Sequence, residues 1–355
     1  MKASRMIKTA WVLCLLGVSA ATAAEPPKAY DITIPAVPDE KIDIPRVPPV
    51  RIHYETQVSS SSAPVEEASN SSVGPDRSIG FSKRVPPNWG KSESAAKNQN
   101  AEVGDVNGSR VSLYLRGPAM DADAVEKTLK DAGFEVLAKF PVDKEGKRVS
   151  IVFTDEALQK SAAKPGRGFG ASLRVLVDSA AGTVSIMNPL YVERAFMQDD
   201  FDEAAAKASL KKLRSAFKGL KNSKDSLKYS LLPKYHFMDA MPYYQDMIEV
   251  GSAKDNETLL QAARKTGKIV FEQKLPNGSV LVGVKFKPRT SEFVANIGYE
   301  NSALLPYPVL VENGKAKILD PKYYIAVMYP SLSMSNFIMI ARIPGVIKKE
   351  CRHIF

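Results

Sequence analysis

Histidine and cysteine are scarce in this chain of 355 residues, which contains three histidines and two cysteines. No HExxH, CxxC or GxSxG motif occurs in the sequence. His53, His236 and His353 do not follow a predicted strand end or sharp turn, where a catalytic base is usually presented to a nucleophile. We therefore assign no residue a catalytic role, and an enzyme is the third of three functional interpretations.

Long apolar runs are missing after the first 24 residues. Lys2, Arg5 and Lys8 precede an uncharged apolar stretch, residues 9–23, that ends in small residues. This stretch is short for a membrane span, which needs about 20 apolar residues, and it has the order of a cleavable secretory signal peptide. We expect residues 1–24 to be removed on export to the bacterial periplasm, with no transmembrane anchor left.

Removal of the signal peptide also removes Cys14 and leaves Cys351 as the single cysteine. The mature chain then has no internal disulfide, and its stability must come from a packed core. Cys351 and His353 lie close to the C-terminus, where we expect a fraying helix end. A thiol there could pair with a second copy, so a dimer is possible.

Residues 25–108 have the composition of a disordered arm rich in proline and serine. Residues 59–76, SSSSAPVEEASNSSVGPD, contain too little apolar surface to offset the entropy of ordering. Before them the short segments ITIPAVP and IDIPRVP begin ten residues apart, at Ile32 and Ile42. Proline favours extended geometry, so the arm is interpreted as a tether or as a docking segment for a partner.

A tandem repeat begins near residue 109. Asp121 is placed to cap a helix that Gly133 ends, and Asp255 and Gly267 are placed in the same way. Corresponding residues of the two pairs lie 134 positions apart. Such a shared register predicts a duplicated structural unit.

Each unit is predicted to have the element order β-α-β4-α. A final strand leads into Asn188-Pro189 in the first unit and Asp320-Pro321 in the second, and a closing helix follows. The first closing helix is expected to run to about Gly219, and the second to be broken by Pro330 and Pro344. The predicted boundaries are 109–220 and 241–355, with a basic linker at 221–240.

Residues 303–321, ALLPYPVLVENGKAKILDP, resemble the domain of unknown function 302 family. Gly133, Gly182, Asn188 and Pro189 give the first unit the same pattern less closely, so the resemblance covers about 109–350. It implies an α+β fold of the TATA-box-binding-protein-like class, with helices on one face of each antiparallel sheet. It implies no agreed activity, but it suggests a concave sheet surface for a ligand or partner.

Two segments contain candidate binding residues. In KPGRGFG, the residues Lys164, Arg167, Gly168 and Gly170 could present cations and backbone N–H groups to an anion, although a strand follows rather than a helix. A mobile glycine-rich loop is the alternative. In YHFMDAMPYYQDM, the residues His236, Met238 and Met241 are donors that suit Cu(I), and packing between the units is the alternative. No other cofactor is indicated.

The formal net charge of +10 suits attraction to anionic surfaces. Export argues against nucleic acid as the natural target. On the first closing helix the cations Lys207, Lys211, Lys212, Arg214 and Lys218 are explained by solvation and the helix dipole, and a surface for an anionic partner is the alternative. The favoured function is a non-catalytic envelope protein that binds a partner protein or small ligand through its sheet surfaces or the groove between units. The alternative is a periplasmic protein that handles copper or another cofactor.

Overall fold

The repeated part of the sequence forms two antiparallel sheets. The computed structural model describes residues 100–355, so the predicted signal peptide and most of the predicted arm lie outside the described residues. In each half, the chain forms one strand, then a helix, and then four further strands of the same sheet. The predicted α+β class is confirmed.

The strands alternate with helices in both halves of the described chain. The strands are β1 (Arg110–Ser112), β2 (Tyr114–Pro118), β3 (Glu135–Pro141), β4 (Arg148–Thr154), β5 (Leu173–Asp178), β6 (Thr183–Met187), β7 (Lys221–Asn222), β8 (Ser226–Lys228), β9 (Ile248–Ser252), β10 (Ile269–Lys274), β11 (Val280–Val284), β12 (Tyr307–Glu312) and β13 (Lys315–Ile318). The α-helices are α1 (Ala122–Asp131), α2 (Glu156–Ala162), α3 (Pro189–Phe196), α4 (Glu203–Ala216), α5 (Asn256–Lys265), α6 (Pro288–Ser291), α7 (Phe293–Ile297), α8 (Pro321–Met328), α9 (Met334–Met339) and α10 (Ile343–Ile354).

The two sheets have the same strand order. The first runs β3-β4-β5-β6-β2-β7 and the second runs β10-β11-β12-β13-β9. All neighbouring strands are antiparallel, and β7 is an additional edge strand of the first sheet. A separate ribbon pairs β1 with β8. The duplication seen in the sequence is therefore a duplication of sheet topology.

The residues that mark the repeat occupy equivalent helix ends. The Asp121 and Asp255 carboxylates accept from the backbone N–H of the third helical residue of α1 and α5, at 2.7 and 2.8 Å. Asn188 and Asp320 cap α3 and α8 by accepting from the backbone N–H of the second helical residue, and each is followed by proline at the first helical position. Gly133 and Gly267 have φ of +82° and +64°, which glycine adopts without the steric cost of a Cβ.

The first closing helix is not continuous, contrary to the sequence-based expectation. It divides into α3 and α4, with a single turn at Gln198–Asp200 between them. Gln198 has φ of +55°, which interrupts the helical path, and Asp202 caps α4 through the N–H groups of Ala204 and Ala205. In the second unit the chain leaves the helix around Pro330, whereas Pro344 lies in the first turn of α10.

Segments expected as arm and linker pack against the first sheet. Asn188 donates to the Gly104 carbonyl at 2.8 Å, and Gly104 N–H donates to Asn222 at 2.7 Å. These contacts extend the ordered structure to residues before 109 and after 220. The linker region also supplies β7, β8 and the short helix Tyr229–Lys234.

The first sheet has an apolar face and a polar face, because successive strand residues point to opposite sides. On the apolar face Phe153 packs edge-on against Phe134, with ring centroids 5.1 Å apart, and Lys212 of α4 lies over the Phe134 ring. The helices α1 and α4 cover this face. The strand register places Arg116, Arg148 and Arg174 together on the opposite face.

The polar face of the first sheet is covered by residues 297–306 of the second unit, which we call loop 2. Arg116 donates to the Asn301 side-chain oxygen at 3.0 Å. Arg174, which is 2% exposed, donates to the Pro306 carbonyl at 3.3 Å. A buried guanidinium is tolerated only where it is hydrogen-bonded, so loop 2 is a structural requirement of the first sheet.

The reciprocal contact covers the second sheet with residues 164–171 of the first unit, which we call loop 1. Gly166 N–H donates to both carboxylate oxygens of Glu312 at 3.2 Å. Gln273 of β10 donates to the Ala171 carbonyl at 3.1 Å. Loops 1 and 2 occupy equivalent positions in their units, so each unit closes the sheet of the other.

The two Asn/Asp-Pro helices meet in the seam between the units. Tyr191 of α3 donates to the Val327 carbonyl of α8 at 2.8 Å. Phe196 and Tyr324 pack with ring centroids 6.4 Å apart. Both helices are buried along almost their whole length. The Asn/Asp-Pro motif that is repeated at residues 188–189 and 320–321 therefore lies in the seam between the units.

We predict that Gly168→Ala destabilises the protein. A Cβ at this position would lie 2.4 Å from Leu310 Cδ1, and Leu310 is fully buried beneath loop 1. Overpacking of this kind costs about 1–3 kcal/mol, which urea denaturation would measure. Gly345→Ala in α10 is the matched control, because its Cβ meets no atom within 4 Å and alanine favours helix. Equal destabilisation by both changes would contradict the close approach of loop 1.

Candidate functional site

The sheet surfaces are not open for binding, which corrects one part of the sequence-based expectation. Every residue of β5, β11 and β12 is buried. Helices cover one face of the first sheet, and loops 1 and 2 close the facing surfaces of the two sheets. The buried faces of these strands therefore offer no open surface to a ligand or partner.

A groove of about 670 Å³ opens at one edge of the seam. We call it the hairpin groove, because residues 140–148 of the β3–β4 hairpin form one wall. Residues 285–299, which include α6 and α7, form the other wall, and Ile343 closes one end. Both units thus contribute to the same concave surface, whose volume falls in the range typical of small-molecule sites.

Charged contacts hold the two walls of the hairpin groove together. The Arg148 guanidinium lies 3.9 Å from the ring centroid of Tyr299 and pairs with Asp143 and Asp178 at 3.0 and 3.1 Å. Lys144 pairs with Glu292 across the groove at 2.5 Å. Asp143 and Glu292 are therefore already neutralised by cations of the protein.

Two exposed cations of the groove have no such partner. Lys285 and Arg289 make no ion pair with any residue in the range 100–355. They stand beside partly exposed apolar side chains, including Phe140 and Ile343. The groove accordingly combines an apolar lining with positive charge, which is the chemistry that favours an anion with an apolar body.

A second groove of about 650 Å³ adjoins the first and shares Arg289 and Ile343 with it. We call it the C-terminal groove, because α10 forms one wall. Its cations are Lys268, Lys287, Arg289, Arg342 and Lys349. Its one carboxylate, Glu350, accepts from Lys287 N–H at 2.9 Å and from the Thr290 hydroxyl. The positive field therefore continues from one groove into the next.

Loop 1 contains the residues that the sequence suggests for anion binding, and their partners lie within the protein. Lys164 and Arg167 pair with Asp200 at 3.2 and 2.8 Å, and these contacts, led by Arg167, lower the pKa of Asp200. Gly168 and Gly170 are buried. Binding of an external ligand by Lys164, Arg167, Gly168 and Gly170 stays a prediction, and it would compete with these internal contacts.

The proposed copper ligands lie in the segment before β9. His236 Nδ1 lies 2.7 Å from the Met238 carbonyl, so this nitrogen carries the proton and donates. The His236 ring packs on Tyr243 with centroids 4.5 Å apart. Met241 packs partly buried against the core. No cluster of three or more His, Cys, Asp or Glu side chains suited to a metal occurs within residues 100–355. Copper binding stays a prediction.

Cys351 does not lie at a fraying helix end, contrary to expectation. It is fully buried on the inner side of α10, and burial raises the pKa of its thiol. A disulfide to a second copy would require α10 to leave the core. The α4 cations are also less available than the sequence suggests, since Arg214 pairs with Asp105 at 2.5 Å and Lys207 with Glu203 at 2.6 Å.

Glu193 on α3 is a buried acid that sequence reasoning missed. Burial raises its pKa from 4.5 to about 8, and the negative charges of Asp155 and Asp202 act in the same direction. Its Oε1 has no hydrogen-bond partner among the described residues. The apolar residues around it in PLYVERAF, which form an almost wholly buried helix, were the signal that could have identified it.

We predict that Glu193 makes the protein less stable as pH rises from about 4.5 to about 8. In this window the unfolded chain releases the Glu193 proton, whereas the folded chain retains it, so the contribution to stability is lost with rising pH. Its slope is at most about 1.4 kcal/mol per pH unit. Urea denaturation of Glu193→Gln at several pH values should show a flatter pH dependence than the unmodified protein.

Glu203→Gln is the control for this measurement. Lys207 lowers the pKa of Glu203, which is therefore ionised in both states above roughly pH 6. This variant should keep the pH dependence of the unmodified protein across the upper half of the window. A Glu193→Gln variant with that same unchanged dependence would contradict the buried, protonated state of Glu193.

Comparison with known proteins gave no match. No family model, no curated protein and no solved structure matches the chain. The resemblance to the domain of unknown function 302 family therefore stays a prediction from the residues. Function has to be inferred from the geometry and charge of residues 100–355.

Proposed function

We propose that this protein is an exported, non-catalytic binding protein of the bacterial envelope that holds an anionic ligand with an apolar body in the hairpin groove. The apolar part would lie against Phe140, Tyr299 and Ile343. The anionic group would face Lys285 and Arg289. Export itself follows from the predicted signal peptide at residues 1–24.

The observation that carries the proposal is the pair of unneutralised cations beside an apolar lining. The three acids that line the groove, Asp143, Glu145 and Glu292, are paired with Arg148, Lys147 and Lys144. An incoming anion therefore meets positive charge without displacing an internal carboxylate. Because the groove is open to solvent, its electrostatic attraction should weaken as salt is added.

Binding is favoured over catalysis by the state of the nucleophiles and bases. His236 and His353 each place Nδ1 against a backbone carbonyl at 2.7 Å. The Cys351 thiol is buried and its pKa is raised, which disfavours the nucleophilic thiolate. The resident groups near the hairpin groove are cations, carboxylates in ion pairs and aromatic rings, which suit recognition.

The contacts between the units explain why two units are needed rather than one. A single unit would leave the polar arginine face of the first sheet exposed and would supply only one wall of the groove. Joining two like units closes the sheets and builds the concave surface at their edge. An acidic segment of a partner protein would meet the same surface, and the ligand measurements below separate this occupant from a small molecule.

We predict that the double variant Lys285→Glu/Arg289→Glu weakens binding of the anionic apolar probe 1-anilinonaphthalene-8-sulfonate. Reversal of both charges should raise the dissociation constant at least about tenfold, which corresponds to about 1.4 kcal/mol. Fluorescence titration of the full chain would measure it. Lys211→Glu/Lys218→Glu, on α4 and just after its end, makes the same charge change away from the groove and should leave the dissociation constant close to that of the unmodified protein.

Equal weakening by the two double variants would show that net charge, rather than the groove, attracts the probe. Native mass spectrometry of the full chain purified from its own envelope then identifies the natural occupant. A bound small molecule that is lost from the Lys285→Glu/Arg289→Glu variant would support the proposal. If a co-purified polypeptide is lost from that variant instead, the natural occupant of the groove is a protein partner rather than a small molecule.

A further inference from the structure

The exposed large apolar side chains of the described residues are concentrated at one place. Met334, Ile338 and Met339 of α9 are 42%, 64% and 61% exposed, and Val346 of α10 is 38% exposed. Tyr243 is the one further example within residues 100–355. We call the four α9–α10 side chains the apolar tip. Packing of Phe337 against Phe237 holds α9 in place with its apolar residues outward.

Cations lie on the same C-terminal segment as the apolar tip. Arg342 is exposed in the turn that joins α9 to α10. Lys349 and Arg352 are exposed on α10. These three cations form no ion pair with other residues that the structure describes.

Negative charge is nearly absent from this part of the surface. Glu350 is the single acid between residues 321 and 355, and it is engaged by Lys287 N–H and the Thr290 hydroxyl at the start of α6. The segment that carries the apolar tip, residues 321–355, therefore has a strong excess of positive charge. A partner must supply both an apolar environment and negative charge.

We propose that the apolar tip docks the protein onto an anionic lipid surface. Ile338, Met339 and Met334 would enter the boundary between headgroups and acyl chains, and Arg342 and Arg352 would contact lipid phosphates. A second copy of the chain is the weaker match, because its identical face would bring cations against cations. The contact is peripheral, since within residues 100–355 no helix has the length and apolar character to cross a bilayer.

This docking surface is separate from the proposed ligand site. Met334, Ile338 and Met339 line neither groove, and Val346 and Arg342 line the C-terminal groove but not the hairpin groove. Lys285 and Arg289 lie on the groove side and are not part of the apolar tip. Loss of ligand binding in the Lys285→Glu/Arg289→Glu variant can therefore be distinguished from loss of lipid binding.

Vesicle sedimentation of the full mature chain tests the proposal. Vesicles of phosphatidylcholine alone are compared with vesicles that contain about 30 mol % phosphatidylglycerol, at low and at moderate salt. The unmodified protein should sediment with the anionic vesicles and remain largely in solution with the neutral ones. Added salt should reduce the bound fraction, because the contacts between cations and phosphates are screened.

Two double variants separate the apolar and electrostatic contributions. Ile338→Asp/Met339→Asp should lower the partition coefficient at least about tenfold, because burial of two apolar side chains is lost and negative charge is introduced. Arg342→Glu/Arg352→Glu should lower it by a similar factor. Lys211→Glu/Lys218→Glu, on α4 and just after its end, is the control with the charge change of the arginine variant. All these positions are exposed, and circular dichroism checks that each variant folds.

Three results would overturn the proposal. The first is failure of the unmodified protein to bind anionic vesicles. The second is equal binding by the tip variants and the α4 control, which would place lipid binding elsewhere in the chain. The third is a dimer in analytical ultracentrifugation that Ile338→Asp/Met339→Asp abolishes in the absence of any vesicle binding, which would assign the tip to a second copy.

Discussion

The buried arginine face of the first sheet constrains the rest of the structure. Arg174 is 2% exposed and has no carboxylate partner among the described residues, so its charge depends on the hydrogen bond that it donates to the Pro306 carbonyl, while its Nε has no hydrogen-bond partner among these residues. Leaving such a charge buried and unsatisfied costs several kcal/mol. Loop 2 must therefore lie across this face, and the second unit that carries loop 2 must remain in place. Loop 1 completes the arrangement by placing Gly166 N–H on Glu312 of the second sheet.

Because loops 1 and 2 cover the facing surfaces of the two sheets, these surfaces are not open to a ligand. A single antiparallel sheet with helices on one face would offer its other face to a ligand, but here the partner unit occupies that position. Open surface remains at the edge of the seam, where the hairpin groove has walls from both units, and at α9–α10, where the apolar tip projects. Both places carry cations that no residue in the range 100–355 neutralises. At both places, cations lie beside apolar side chains, so both suit a ligand or surface that combines negative charge with apolar groups.

The sequence predicted the parts of the fold that depend on local interactions. Asp121 and Asp255 cap helices through N–H groups three residues away, and Pro189 and Pro321 fix the first turn of α3 and α8, so short patterns were sufficient. Loops 1 and 2 could not be predicted in this way. Arg174 and Pro306 are 132 residues apart, and a glycine-rich loop with two cations has the same composition whether it is mobile or packed. The grooves and the buried thiol of Cys351 also depend on tertiary contacts that no local pattern records.

The measurement that tests the interlocking of the two units most directly is equilibrium urea unfolding followed by two probes. Far-UV circular dichroism reports both sheets and their helices, and near-UV circular dichroism reports the packed tyrosines of the seam, including Tyr191 and Tyr324. If each unit closes the sheet of the other, both probes should show a single transition with the same midpoint. A near-UV signal that is lost at lower urea, while the far-UV signal persists through a second transition, would show that the units separate before they unfold and would contradict the account.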